Sequence, residues 1–205
     1  MEVKQEHIDR VFDLARLSLT FAKTNRVTRH EDGIRLESDT DHTFMLSLIS
    51  CSLADTFYKD KLDIGLVSQF VTVHDLVEVY AGDTDSLVNS SLEAKKEKEQ
   101  KEHESLERIK NEFGIEFPWI HQTIEKYESQ DTQEARFVKL VDKILPKLTS
   151  VFNNASAIKI RKTKEEYQVF VDDQLASFNS YIEEFPELLI FFKYINKRTL
   201  ECFND

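Results

Sequence analysis

Four glycines and three prolines in 205 residues leave this chain few places to turn sharply. Tight turns lean on those two residue types, glycine for positive φ and proline for its fixed φ. Their scarcity argues against a sandwich or barrel of many short strands and for long helices with few connections. Leu, Glu and Lys, all good helix formers, are abundant. With 40% hydrophobic and 32% charged residues, the chain has the composition of one soluble, well-buried domain.

Apolar periodicity places the helices. The first spans about Val3–Lys23, with Val11, Leu14, Ala15, Leu17, Phe21 and Ala22 on one face. Residues 24–39 are polar, contain Gly33 and read as a loop. A second helix follows over about Thr40–Tyr58, and a third runs from an Asp63 cap to about Tyr80, ended by Gly82. Ser91–Phe113 mixes Glu and Lys at three- and four-residue offsets, the pattern of a solvated outer helix. Further helices are predicted over Pro118–Ser129, Glu134–Val151 (with Pro146 kinking it or ending its regular bonding), Lys164–Phe185 and Pro186–Phe203. The expectation is an all-α, single-domain helical bundle over 1–205. Its core spans about 26–152, and the C-terminal helices of 164–203 pack on it.

A net charge of −11 without a separate basic cluster argues against a nucleic-acid partner, which needs a positive stripe. No apolar run approaches the roughly 20 residues of a membrane span. Cys51 and Cys202 have no metal-type spacing. With no signal-like N-terminus, the expectation is a cytoplasmic protein.

The chemistry lies where polar residues interrupt apolar helix faces. His74-Asp75 breaks the run Phe70-Val71-Thr72-Val73, and Glu78 shares the face of His74. Alone, such a pair is more often a satisfied core or surface pair. His42 precedes Leu46, Ile49 and Leu53 on one face, so its imidazole is predicted to look inward; alone it reads as a core histidine bonded to a carbonyl. Asp142 sits in the stripe Ala135, Val138, Asp142, Leu145. A carboxylate in mid-helix on an apolar face needs neutralisation. Imidazole and carboxylate together suit a divalent ion such as Zn, Mn, Fe or Co. Four such interruptions on three helices favour one two-His, two-Asp metal site over four unrelated accidents.

The ordered stretches Glu37-Ser38-Asp39-Thr40-Asp41-His42, His74-Asp75-Leu76-Val77-Glu78-Val79-Tyr80-Ala81-Gly82-Asp83 and Glu134 through Lys143 resemble the HD superfamily of metal phosphohydrolases. More narrowly, they resemble its single-domain branch that includes the bacterial 5′-deoxynucleotidases. The resemblance covers roughly Arg26–Lys143. It implies that His42, His74, Asp75 and Asp142 ligate a divalent metal (Mn, Co, Mg, Zn or Fe), and that Glu78 and Asp83 flank the phosphate and handle protons. The bland alternatives are a surface or supporting role for Glu78 and a turn role for Asp83. In this branch an Arg before the first metal histidine binds phosphate; Arg29 is the best match, with Arg26 and Arg35 as rivals. His30 stands beside Arg29 where the branch commonly has Trp, a departure that bears on the sugar. His103 and His121 sit on polar helices and are expected to be exposed.

The expected activity is therefore hydrolysis of a (deoxy)nucleoside 5′-monophosphate by a chain that pairs as a homodimer. The C-terminal residues Leu188, Leu189, Phe191, Phe192 and Tyr194 either supply the pairing face or complete the core. The alternatives are another HD-type activity on a triphosphate or phosphodiester, or a nucleotide-sensing domain without turnover.

Overall fold

The structure, a computed structural model, describes residues 3–83 and 91–204. It is a helical bundle with one small β-hairpin. Helix α1, Gln5–Phe21, leads into strands β1, Asn25–Arg29, and β2, Leu36–Ser38. They pair antiparallel with Asn25 opposite Ser38 and Arg29 opposite Leu36. The sequence reading made this segment a loop. Its strands are short and polar, so they carry little alternation to read. The turn closes through Gly33 at φ +69, while the Asp32 carboxylate accepts from the N–H groups of Ile34 and Arg35 at 2.8 and 2.9 Å. Side chain and glycine together supply a turn geometry that β-branched residues resist.

Helix α2, Asp39–Phe57, begins with a reciprocal cap. Asp41 N–H donates to Ser38 Oγ at 3.1 Å, and Ser38 N–H to the Asp41 carboxylate at 3.0 Å. Such a box satisfies two donors that an open helix end leaves unpaired. Helix α3, Ile64–Val73, is capped by Asp63, as the sequence indicated. It does not continue to Tyr80, however. The chain turns over residues 74–77 and resumes as the short α4, Glu78–Ala81, stopped by Gly82 at φ +76.

Helix α5, Leu92–Phe113, packs beside α4, and helix α6, Pro118–Glu128, packs beside α5 and α3. Although α5 is highly charged, it is not solvated all round: Ser105, Ile109 and Phe113 are buried along one stripe. Helix α7, Gln133–Phe152, runs unbroken through Pro146. The proline has no N–H to give the carbonyl of Asp142 one turn earlier. After left-handed Asn154 and Ala155 come α8, Ser156–Lys159, α9, Lys164–Ser177, α10, Asn179–Ile182, and α11, Pro186–Glu201. The single helix expected over Lys164–Phe185 is thus divided at Phe178.

The main core joins α2, α3, α7 and α11 through Leu46, Val67, Phe70, Phe137, Val138, Val141, Leu188 and Phe192. Each such side chain contributes roughly 1.5–3 kcal/mol by leaving water. Leu188 and Phe192 complete this core, whereas Tyr194 stays exposed. A second cluster, Val73, Val77, Ile109, Phe113, Ile120 and Ile124, receives Leu17 from α1. The apolar face expected on α1 is only partly used: Leu17 and Phe21 are buried, while Val11, Ala15 and Ala22 are exposed. His103 is exposed, but His121 is buried, against the expectation, and lies beside Gly114. Among the described residues no helix is long and apolar enough to cross a membrane.

Candidate metal centre

Three elements meet where β2 enters α2, where α3 ends and where α7 crosses behind them. His42 lies one turn into α2, fully buried. Its Nδ1 is 3.0 Å from Oε1 of Glu37, a buried residue of β2, and its Nε2 is 3.1 Å from Oδ1 of Asp142. His74 caps α3 as the first residue of the 74–77 turn. Its Nδ1–H donates to the carbonyl of Val71 at 2.8 Å. Both imidazoles are thereby oriented through Nδ1, leaving Nε2 as the inward-facing atom.

The break after Val73 explains how neighbouring residues converge. The chain's turn at His74 brings Asp75 Oδ2 to 2.9 Å from His74 Nε2. One donor atom from each of His42, His74, Asp75 and Asp142 lies within 4.8 Å of the others. With its proton on Nδ1, His74 Nε2 turns a buried lone pair toward that Asp75 oxygen and makes no well-formed hydrogen bond, and a native interior rarely leaves such an atom unexplained. Two imidazole nitrogens and two carboxylate oxygens suit a divalent transition metal.

The charges around the four are strongly coupled. Burial and the Arg26 charge push the His42 imidazole down, but its bonds to Asp142 and Glu37 outweigh them and carry it up to about 9. Burial alone would raise both aspartates. The His74 and Arg26 charges hold Asp75, and Lys143 and His42 hold Asp142, well below the usual carboxylate range. Lys143 Nζ stands 3.0 Å from Asp142 Oδ2.

Arg26 forms the next layer. Its Nη1 is 2.6 Å from Asp75 Oδ2, 3.4 Å from Asp39 Oδ1 and 3.7 Å from Glu78 Oε2. Glu78, at the start of α4, is buried, with Lys98 of α5 at 3.8 Å. Burial and the neighbouring Asp75 charge push the Glu78 carboxyl up to about 10. Burial likewise raises Asp39, to about 7, and Asp83, which follows Gly82 and is half-buried. Arg26 therefore serves several carboxyl groups at once, and it is the cation nearest the set.

Arg29 and His30 lie apart from this group. Arg29 donates to the carbonyls of Gly33 and Ile34 at 3.1 and 3.2 Å, inside its own hairpin. His30 bridges Asp41 and Arg35, each at 3.2 Å. The sequence reading gave no role to Glu37, Asp39, Lys98 or Lys143. Glu37 and Asp39 stand close before His42, where acidic residues look like helix-start residues. Lys98 is one of many lysines on α5 and carries no signal of its own.

Comparison with known proteins agrees with this picture. A family described as HD domain matches residues 21–188. The human protein 5′-deoxynucleotidase HDDC2 is 28% identical over 109 residues, 53% of this chain. The match spans half the length of that relative. The crystal structure of a predicted metal-dependent phosphohydrolase from Magnetospirillum magnetotacticum MS-1 superposes with a TM-score of 0.75 at 19% identity, covering 97% of both chains. A conserved hypothetical protein from Pyrococcus furiosus gives a TM-score of 0.60 at 20% identity, covering 91% of this chain and 99% of its own. At these identities the two structures establish a shared fold.

Proposed function

The chain belongs to the HD-domain family, and on that premise we propose that it hydrolyses a nucleoside 5′-monophosphate at a divalent metal held by His42, His74, Asp75 and Asp142. The observation that carries the reading is the convergence of these four residues, with both imidazoles tied at Nδ1 and the buried His74 Nε2 facing Asp75 Oδ2 without a well-formed hydrogen bond. The 5′-deoxynucleotidase named above, matched over half its length, supports the substrate class.

A bound divalent ion in such a site polarises a phosphoryl oxygen and lowers the pKa of coordinated water. The remaining work falls to the chain's own residues. Arg26, rather than Arg29, is the cation that meets phosphate, because its guanidinium already stands among Asp39, Asp75 and Glu78. Guanidinium suits phosphate through its planar fork of donors. Lys143 adds a second positive charge from α7. Glu78 carries its proton to near-neutral pH and above, so it can donate to the leaving oxygen as general acid. Asp83 approaches the same space from beyond Gly82. Homodimer formation belongs to the same proposal and is read by light scattering of the full chain.

The test is phosphate release from a panel of ribo- and deoxyribonucleoside monophosphates with Mn, Co or Mg, for wild type and Asp142→Ala. Release by wild type, abolished in the variant, is the expected result. No release with any metal defeats the activity, and equal release by the variant defeats the site.

A further inference from the structure

A cleft opens beside the metal-type cluster, between β1, α7 and α9. Arg26 and Asp142 line it together with Phe170 and Gln174 of α9. It measures ≈ 90 Å³, the share of roughly three water molecules. Such a space takes the edge of a planar ring and leaves the rest of a ligand at its mouth.

Lys147 lines this cleft and is only 5% exposed. Among the described residues no carboxylate pairs with it. Its Nζ donates to the carbonyl of Lys143 at 3.1 Å and to Oε1 of Gln174, and the rings of Phe170 and Phe192 lie 5.4 Å away. Burial and the Lys143 charge push its ammonium down to about 7. An ammonium has three N–H donors, and two are committed. Gln174 spends its carbonyl on Lys147, so its amide N–H₂ is what it has left to offer. Below that pKa Lys147 keeps its third proton, and the polar equipment that these two side chains present is donor-only.

We propose that this cleft takes the nucleobase edge of the substrate and that Lys147 and Gln174 select a base presenting a carbonyl oxygen there. Guanine O6 and thymine O4 are acceptors, whereas adenine and cytosine present amino donors at the corresponding positions. A donor facing the buried ammonium is left unpaired, which is the effective way for a site to reject a ligand. The assignment rests on the nucleotidase reading, and it concerns the leaving group rather than the phosphate.

The test uses nucleosides, which bind without any phosphate chemistry. Calorimetric titration of the full chain with manganese at pH 6, below the Lys147 value, compares 2′-deoxyinosine with 2′-deoxyadenosine, purines that differ at the edge in question. Deoxyinosine is expected to bind about tenfold or more tightly. Lys147→Met removes the difference. Gln174→Glu, at a half-buried position, draws Lys147 into an ion pair and removes it too, so the outcome stands even where the buried substitution prevents folding. Equal binding of the two nucleosides, binding of neither, or a preference that survives in the folded variants overturns the proposal. Phosphate release from the monophosphates is scored separately. Its absence defeats the nucleotidase reading, whereas the nucleoside ratio alone decides the role of Lys147.

Discussion

Glu37 holds His42 by a 3.0 Å contact between Oε1 and Nδ1, both residues shut away from solvent. The carboxylate fixes which imidazole nitrogen faces Asp142 and raises the basicity of the ring. Partners of this kind commonly govern metal affinity by 10–100-fold. Glu37→Gln keeps an acceptor but loses the charge, so it is expected to weaken manganese or cobalt binding by about tenfold, with the Ala variant closer to a hundredfold. Competition against a chelator measures this. Unchanged affinity in both variants would separate Glu37 from the metal set.

Arg26 and Arg29 lie three positions apart on β1, whose pairing with β2 shifts register between Asn25 and Arg29, and such an irregularity re-aims side chains. One guanidinium therefore reaches Asp75, and the other bonds the hairpin's own carbonyls. Arg26→Ala is expected to lower kcat/KM for phosphate release by about 10²–10³, the usual cost of losing a charge-stabilising donor. Arg29→Ala is expected to cost less than tenfold, mainly by loosening the hairpin. The reverse order of effects in steady-state kinetics would return the phosphate to Arg29.

That pair of arginines also shows what could be read beforehand. Helical periodicity marked α2, α3 and α7, and the carboxylate of Asp142 stood out because its neighbours on the stripe are apolar. Such signals are local. The hairpin is local as well, but its strands are polar and short, so residues 24–39 read as a loop, and nothing in a loop told Arg26 from the preferred Arg29 by the direction of its side chain. The break after Val73 was hidden because His74–Tyr80 keeps a helical composition. It shows only in three dimensions, where the turn swings Asp75 towards His74. Lys98 and Lys147 belong to the site region through the packing of α5 and α7 against distant elements, which no spacing along the chain records.

The metal-free protein has a defined pH response. His42, Asp39 and Glu78 are all raised in the folded state, to about 9, 7 and 10. A group with a raised folded pKa contributes stability that is full below its unfolded pKa and is lost as pH climbs through the folded one. Lys147, depressed to about 7, acts oppositely: its contribution is present above its unfolded pKa and lost as pH falls through 7. Two strongly raised groups outweigh it between about pH 6.5 and 9. The melting temperature measured in chelator is expected to fall across that window. Saturating metal, which requires neutral imidazoles, should flatten or reverse the trend. A melting temperature that rises with pH in chelator would contradict the coupling drawn around His42 and Glu78.

Gly82 separates Glu78 from Asp83 at φ +76 and ψ 150, a region that only glycine enters freely. Its N–H closes α4 on the Glu78 carbonyl at 2.7 Å. An added Cβ would meet nothing within 4 Å, so the cost of Gly82→Ala is backbone strain alone, on the order of 1–3 kcal/mol. Denaturant unfolding should register that loss. Relief of the strain rotates the following residue, so phosphate release should fall further than stability predicts, because Asp83 leaves its place beside Arg26. A variant destabilised to this degree with wild-type kcat would show that Asp83 terminates the helix and takes no part in the chemistry.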